Sequence, residues 1–235
     1  MNLFFSTEID KNLITLSEDE SKHVMRVLRS EQGDIIFVTN GEGKLFKTKI
    51  SKNKSKHCIC EILEEMPPPP KPGYHLHLAI APTKNHNRME WFVEKATEIG
   101  ISEITPVICH NSERKSIQAD RLERLLISAM KQSGRLILPR LNTAATFGNF
   151  VEAKFGSDKF IASCMNEEKK SLKHIYKPGN NALILIGPEG DFNDEEIIKA
   201  KVNGFIPVSL GANRYRTETA ALMACHTIAL MNEVK

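Results

Sequence analysis

No stretch of about eighteen consecutive apolar residues occurs in the 235-residue chain, which leaves no candidate for a membrane-spanning helix. The amino terminus, MNLFFSTEIDKNLITLSEDE, places acids where a secretory signal needs basic residues ahead of a long apolar run, so a cytoplasmic protein is expected. The five cysteines, Cys58, Cys60, Cys109, Cys164 and Cys225, include no C-x-x-C pair. Neither a disulfide framework nor a zinc site is supported; the thiols are expected to be reduced and mostly packed in the core, and no metal is expected. The dinucleotide fingerprint G-x-G-x-x-G and the phosphate loop G-x-x-x-x-G-K-[ST] are both missing, which makes nicotinamide and triphosphate chemistry poor readings. Charge of one sign is lacking too. The net value is +3, too small to argue for a nucleic-acid partner without local clustering.

What the chain does have is 41% hydrophobic and 26% charged residues, enough length for a substantial core, and one clear boundary. Residues 66 to 73 read Met-Pro-Pro-Pro-Pro-Lys-Pro-Gly, where prolines cannot donate ladder hydrogen bonds and favour a stiff extended spacer. Two domains follow, 1–70 and 71–235. In the first, Ile35 to Val38, Lys44 to Ile50 and His57 to Leu63 alternate as strands, separated by the turn signals Gln32-Gly33-Asp34 and Asn40-Gly41-Glu42-Gly43. A small β-barrel with one helical segment near Ser21 to Arg29 is expected. Residues 1–70 carry 10 basic and 11 acidic groups, yet Lys44, Lys47, Lys49, Lys52, Lys54 and Lys56 cluster with no acid between them. This edge either protects an exposed strand from aggregation or faces phosphates.

In the second domain, Leu76 to Ala81, Ile104 to Ile108, Phe160 to Cys164, Ala182 to Ile186 and Ile206 to Leu210 read as strands. The unbroken apolar run Ala182 to Ile186 suits a strand covered on both faces, hence an α/β domain with a mostly parallel sheet. Helices are expected where Met89, Phe92, Val93, Ala96 and Ile99 recur ahead of a capping Gly100, where Leu122, Leu125, Leu126, Ala129 and Met130 recur, and over Ala220 to Met231. Trp91 and Phe92 are expected in the core, and His226 in packing or a subunit contact. Arg121 and Arg124 share the polar face of the second helix, with Arg114 and Lys115 upstream; such a stripe is either a solvated face or a phosphate contact.

Ligands of open α/β sheets bind beyond the carboxyl ends of the strands, and two of the loops there stand out. Gly187-Pro188-Glu189-Gly190 ends the apolar strand, and Asn193 to Glu196 then offers a helix N-cap with an acid three residues on. Glycines there admit a flat ligand close to the main chain, and Glu189 can hydrogen-bond it. In Leu210 to Ala221, Arg216, Thr217, Glu218 and Thr219 meet a helix start, with Thr217 as the expected N-cap and main-chain N–H groups suited to an anionic group.

Gly187-Pro-Glu-Gly190, then Leu210-Gly211 and Arg216-Thr-Glu-Thr-Ala220, with His23 to Arg29, Gly33-Asp34, Arg88-Met-Glu-Trp, Glu94 to Gly100, Ser112-Glu-Arg114, Gln132-Ser133, Arg135 and Pro139, resemble the RsmE family of ribosomal RNA uridine N3-methyltransferases of the SPOUT superfamily. The resemblance implies a PUA-like N-terminal RNA-binding barrel and a C-terminal SPOUT α/β domain with a trefoil knot. It also implies a homodimer, S-adenosyl-L-methionine as cofactor, and 16S rRNA of the small ribosomal subunit as partner. Leu185, Ile186, Gly187, Pro188, Glu189, Gly190, Leu210, Gly211, Tyr215, Thr217, Thr219 and Ala220 then hold the cofactor. Arg216 or Arg214 stabilises charge on the uridine, with Glu218 or Glu189 as proton acceptor. RNA is expected at Lys44, Lys47, Lys49, Lys52, Arg114, Lys115, Arg121 and Arg124. Relatives differ at Asn213-Arg214-Tyr215, where many carry an arginine and an aliphatic pair, and at Asp191, where a second glycine is common. The rival readings are a non-catalytic RNA-binding or ribosome-assembly factor, and a SPOUT methyltransferase acting on ribose 2′-OH or on tRNA.

Overall fold

A computed structural model describes residues 2–54, 57–68, 70, 72–164 and 169–233. Lys56 of the lysine cluster and Pro69 and Lys71 of the proline-rich boundary lie outside the described residues. Two compact units are present: Met1–Lys71 with Ile127–Leu138, and Pro72–Leu126 with Pro139–Lys235.

The first unit contains β1 (Leu3–Phe5), β2 (Ile9–Asp10), β3 (Leu13–Thr15), α1 (Glu18–Lys22), a π-helical turn (His23–Val27), β4 (Ile35–Thr39), β5 (Leu45–Lys54) and β6 (His57–Met66). They form one sheet in the order β1-β4-β5-β6-β3-β2, antiparallel except for the β1–β4 pair. Alternating residues Ile36, Val38, Phe46, Ile50, Cys58 and Cys60 point into a core with Phe4, Ile14, Leu16 and Val24, as the period-two pattern requires. The expected helical segment is split. Ser17 caps α1 through the N–H of Glu20, and the next five residues widen into the π-helical turn, which ends near Arg29 in the left-handed region at φ 53°.

Residues 127–138 join this unit through main-chain hydrogen bonds. The Leu136 carbonyl accepts from Gly43 N–H (2.9 Å) and the Thr39 hydroxyl (3.2 Å), Leu138 N–H donates to the Gly41 carbonyl (2.8 Å), and Lys131 pairs with buried Glu20.

The second unit holds β7 (Leu76–Ile80), α2 (His86–Ile99), β8 (Glu103–Ile108), most of α3 (Ala119–Gln132), β9 (Arg140–Leu141), β10 (Ala145–Thr146), α4 (Phe147–Glu152) and β11 (Asp158–Ala162). Then come β12 (Lys170–Ser171), α5 (Leu172–Ile175), β13 (Ala182–Ile186), α6 (Asp194–Val202), β14 (Ile206–Ser209) and α7 (Thr217–Met231). Its strands run β10-β8-β7-β13-β11-β14-β12, with β9 also on β8, and every pairing is parallel. In β13, Leu183 and Leu185 pack with Phe147, Phe150, Ile197 and Ala200 of α4 and α6, while α7 covers the sheet at β7 and β13. Cover on both faces explains why the strand reads as an unbroken apolar run.

Gly100 caps α2 in the left-handed conformation at φ 109°, and Asn193 with Glu196 forms the reciprocal capping box of α6. Phe92 is fully buried, but Trp91 is 42% exposed, because the core-facing stripe of α2 takes Met89, Phe92, Val93 and Ala96 and turns its neighbour outward. His226 is likewise exposed, so it does not pack within the chain. Four cysteines are buried and Cys164 is exposed; all five are free thiols.

His77 on β7 is 6% exposed, between the rings of Phe150 and Phe155, with Nε2 2.7 Å from the Thr105 hydroxyl. Burial pushes its pKa down to about 4, against the attraction of Glu103. The unfolded chain takes up a proton on this side chain near pH 6.5, whereas the folded chain resists until about pH 4. Stability therefore falls as pH drops through this window, by about 3 kcal/mol for this group. Urea unfolding at pH 7 and pH 4.5 should show the loss, and His77→Asn should flatten that slope.

Candidate active site

The carboxyl ends of the neighbouring strands β13, β11 and β14 open onto two adjoining cavities of about 280 and 460 Å³. Both have Ala162, Cys164, Arg214, Tyr215 and Ala220 in their walls. Ile186, Gly187, Pro188, Glu189, Arg216 and Thr217 complete the wall of the smaller one, with Asp191; Leu210 and Gly211 belong to the larger. The two loops singled out in the sequence thus meet. Leu185, Gly190 and Thr219 wall neither cavity: Leu185 is fully buried within β13, and Gly190 packs on Asn111.

Local chemistry fixes this shape. A β-carbon on Gly187 would sit 2.9 Å from the Phe192 ring, and one on Gly211 (φ 153°) 2.8 Å from the Tyr215 hydroxyl. Gly187 has no room for a side chain against the buried Phe192 ring, and a side chain at Gly211 would both strain the backbone and displace the Tyr215 ring, so the main chain itself forms the wall there. Asp191 adopts φ 60°, and its carboxylate accepts the Cys164 N–H at 2.7 Å. Arg216, not Thr217, is the N-cap of α7. The Thr217 hydroxyl is committed elsewhere, donating to the Gly187 carbonyl at 3.0 Å and fastening the helix start to the β13 loop. The cap position supplies no side-chain acceptor, so the first turn of this fifteen-residue helix presents its N–H groups beside the cavity.

Arg214 and Arg216 are exposed at the cavity wall, and no ion pair involves either among the described residues. Glu189 accepts the Lys84 N–H at 3.0 Å. Glu218 is buried outside both cavity walls, with Oε1 3.7 Å from Arg88 Nε of α2 and Oε2 without a partner. Ala162 at the end of β11, with Ser163 and Cys164 after it, is a wall the motifs did not announce; the sequence pattern placed all three within the strand. No group of three His, Cys, Asp or Glu arranged to hold a metal occurs among the described residues.

An RNA methyltransferase domain model matches residues 69–229 and an RNA methyltransferase PUA domain model matches residues 16–63. Ribosomal RNA small subunit methyltransferase E of Aquifex aeolicus is 30% identical, over 94% of this chain and 96% of its own. The chain belongs to the ribosomal RNA small subunit methyltransferase E family. Among solved structures, a probable rRNA-methyltransferase from Porphyromonas gingivalis superposes with TM-score 0.92 at 37% identity, covering 99% of this chain and 98% of that one. The family member from Neisseria gonorrhoeae, solved bound to S-adenosyl methionine, superposes with TM-score 0.86 at 27% identity over 99% and 98%.

The basic residues expected on RNA divide into two groups. Lys44 pairs with Glu65 (3.0 Å), and Lys47 and Lys49 lie opposite Glu64 and Glu61 in the β5–β6 register, so carboxylates of β6 face the first three lysines of the edge. Arg121 makes a two-pronged pair with Glu90 (2.7 and 2.8 Å), and Arg114 donates to the Lys84 carbonyl. Lys52, Lys115 and Arg124 are exposed without an ion pair among the described residues, as are Arg26 within the π-helical turn and Arg29 just after it, which charge counting passed over.

Proposed function

We propose that this protein transfers a methyl group from S-adenosylmethionine to N3 of a uridine in 16S ribosomal RNA, acting on the small ribosomal subunit in the cytoplasm. The observation that carries the reading is the joined cavity at the ends of β13, β11 and β14, with Arg214 and Arg216 in its wall. Family membership supports it along nearly the whole chain. Bound S-adenosylmethionine supplies an activated methyl group. Main chain from Ile186 to Pro188 and at Leu210 and Gly211 would hold it, and the helix start at Thr217 suits its carboxylate.

Uridine N3 lies on the Watson–Crick edge, so the base must leave its pair to enter. Its imide proton is lost before or during transfer, and Arg216 with Arg214 stabilises the negative charge that develops on the ring oxygens. Glu218 lies outside both cavity walls beside Arg88 and Glu189 accepts the Lys84 N–H through Oε1, an arrangement in keeping with release of the proton to water at the open cavity. Holding two reactants in near-attack geometry contributes roughly 7–11 kcal/mol in such reactions. The protein acts as a homodimer with the knotted path that the resemblance implies. Trp91 on α2 and the exposed stripe Met223, His226 and Leu230 on α7 supply an apolar face for a second copy.

Calorimetry with S-adenosylmethionine separates this reading from that of a non-catalytic RNA-binding factor: saturable 1:1 binding per chain is expected, and no binding contradicts it. For RNA, each phosphate contact contributes ~0.7 to the slope of log affinity against log salt. Exchanging Lys115 and Arg124 together for alanine should reduce that slope by about 1.4, whereas Lys44→Ala, which removes a lysine already paired with Glu65, should leave it unaltered.

A further inference from the structure

The geometry points to Arg114 and Glu189 as positioning residues that hold the cofactor loop by gripping both ends of one residue, Lys84. Lys84 lies in the loop between β7 and α2. Its N–H donates to Glu189 Oε1 at 3.0 Å, and its carbonyl accepts from Arg114 Nε (3.3 Å) and Nη2 (3.0 Å). Its ammonium pairs with Glu113 at 2.8 Å, next to Arg114 in sequence. The loops after β7, β8 and β13 are therefore tied through a single backbone unit.

Two features distinguish this arrangement from a chance surface contact. The Nε and Nη2 pair is one of the two edges by which a guanidinium forks onto a phosphate, and here both atoms donate to one carbonyl. Arg114 is also half-buried, unlike exposed Lys115 beside it. A second tie runs parallel: Asn111 Nδ2 donates to the Gly190 and Asp191 carbonyls, both at 3.1 Å. Gly187, Pro188, Glu189 and Asp191 of the tied loop line the cavity, so a displacement of the loop reaches the ligand directly. Misplacements of about 1 Å cost such sites up to about a hundredfold in rate. Arg114 thus acts on cofactor binding rather than on RNA, and Glu189 is an acceptor for main chain rather than a base.

This inference rests on the cavity being the S-adenosylmethionine site. Calorimetry on the full chain with S-adenosylmethionine tests it: Arg114→Ala and Glu189→Leu should each weaken binding about tenfold. Glu189→Gln, whose amide oxygen still accepts the Lys84 N–H, should recover binding to within about threefold of the wild type. The double variant Arg114→Ala with Glu189→Leu should be little worse than either alone, since both act through Lys84. The RNA salt slope of Arg114→Ala should match the wild type, whereas loss of a phosphate contact lowers it by about 0.7. Intact S-adenosylmethionine affinity in Arg114→Ala, with a reduced salt slope, overturns the proposal in favour of RNA contact. Intact affinity in Glu189→Gln with turnover abolished at saturating S-adenosylmethionine overturns it in favour of a general base. If the wild-type chain itself binds no S-adenosylmethionine, the reading of the cavity fails first and this proposal falls with it.

Discussion

Arg216→Ala should lower kcat by about 10²–10³ while changing S-adenosylmethionine affinity by no more than about threefold. The split follows from where the residue sits. Arg216 is the N-cap of α7, exposed at the cavity wall, with no side-chain hydrogen bond at the cap and no ion pair among the described residues. Its removal therefore takes nothing from the fold, and its guanidinium is available for charge that appears only as uracil loses its imide proton. A donor aimed at developing charge acts on the transition state more than on the ground state, so the loss belongs in kcat. Arg216→Lys should recover only part of the rate, because an ammonium lacks the planar fork. Rapid-quench turnover on saturating small subunits reads this directly; equal rates for wild type and Arg216→Ala would remove the arginine from the chemistry.

Gly187→Ala should weaken S-adenosylmethionine binding by about a hundredfold and lower the unfolding free energy by about 1–3 kcal/mol. The new β-carbon would lie 2.9, 3.1 and 3.2 Å from three atoms of the Phe192 ring. That ring is 5% exposed and packs against Phe147 at 5.7 Å between centroids, so it has nowhere to turn. The main chain must yield instead, and it is the main chain that walls the cavity and carries the Gly187 carbonyl bonded by Thr217. Gly156→Ala, with nothing within 4 Å, is the matched control and should leave both quantities unaltered. Calorimetry paired with urea unfolding checks the prediction, and wild-type affinity in Gly187→Ala would show that this loop does not contact the cofactor.

Much of the second unit was legible because its constraints are local. The apolar run Ala182 to Ile186 names a strand covered twice, Gly100 marks a left-handed cap, and Asn193 with Glu196 marks a capping box; each was found in place. Thr217 failed as a cap for a non-local reason, since its hydroxyl bonds a carbonyl thirty residues away. Two-residue strands such as β9 and β12 carry no readable period, and the π-helical turn differs from an ordinary helix by hydrogen bonds that side-chain pattern does not encode. The attachment of residues 127–138 to the first unit runs through main-chain groups of Gly41, Gly43, Leu136 and Leu138, which composition cannot display.

At the site, glycine and arginine motifs identified two walls, whereas the third, Ala162 to Cys164, has no distinctive chemistry. The Lys84 tie joins positions 30 and 105 residues apart. The lysine edge was legible only in part for a related reason: clustering along the chain was visible, but the carboxylates of β6 facing it depend on strand register.

The most direct test combines the purified protein with small ribosomal subunits and methyl-labelled S-adenosylmethionine, followed by digestion to nucleosides and mass spectrometry. The expected product is labelled N3-methyluridine, at no more than one per particle, absent without the protein and strongly reduced with Arg216→Ala. Label on a ribose 2′-oxygen, label on another base, or no transfer under conditions where S-adenosylmethionine binds, would contradict uridine N3 methylation by this site.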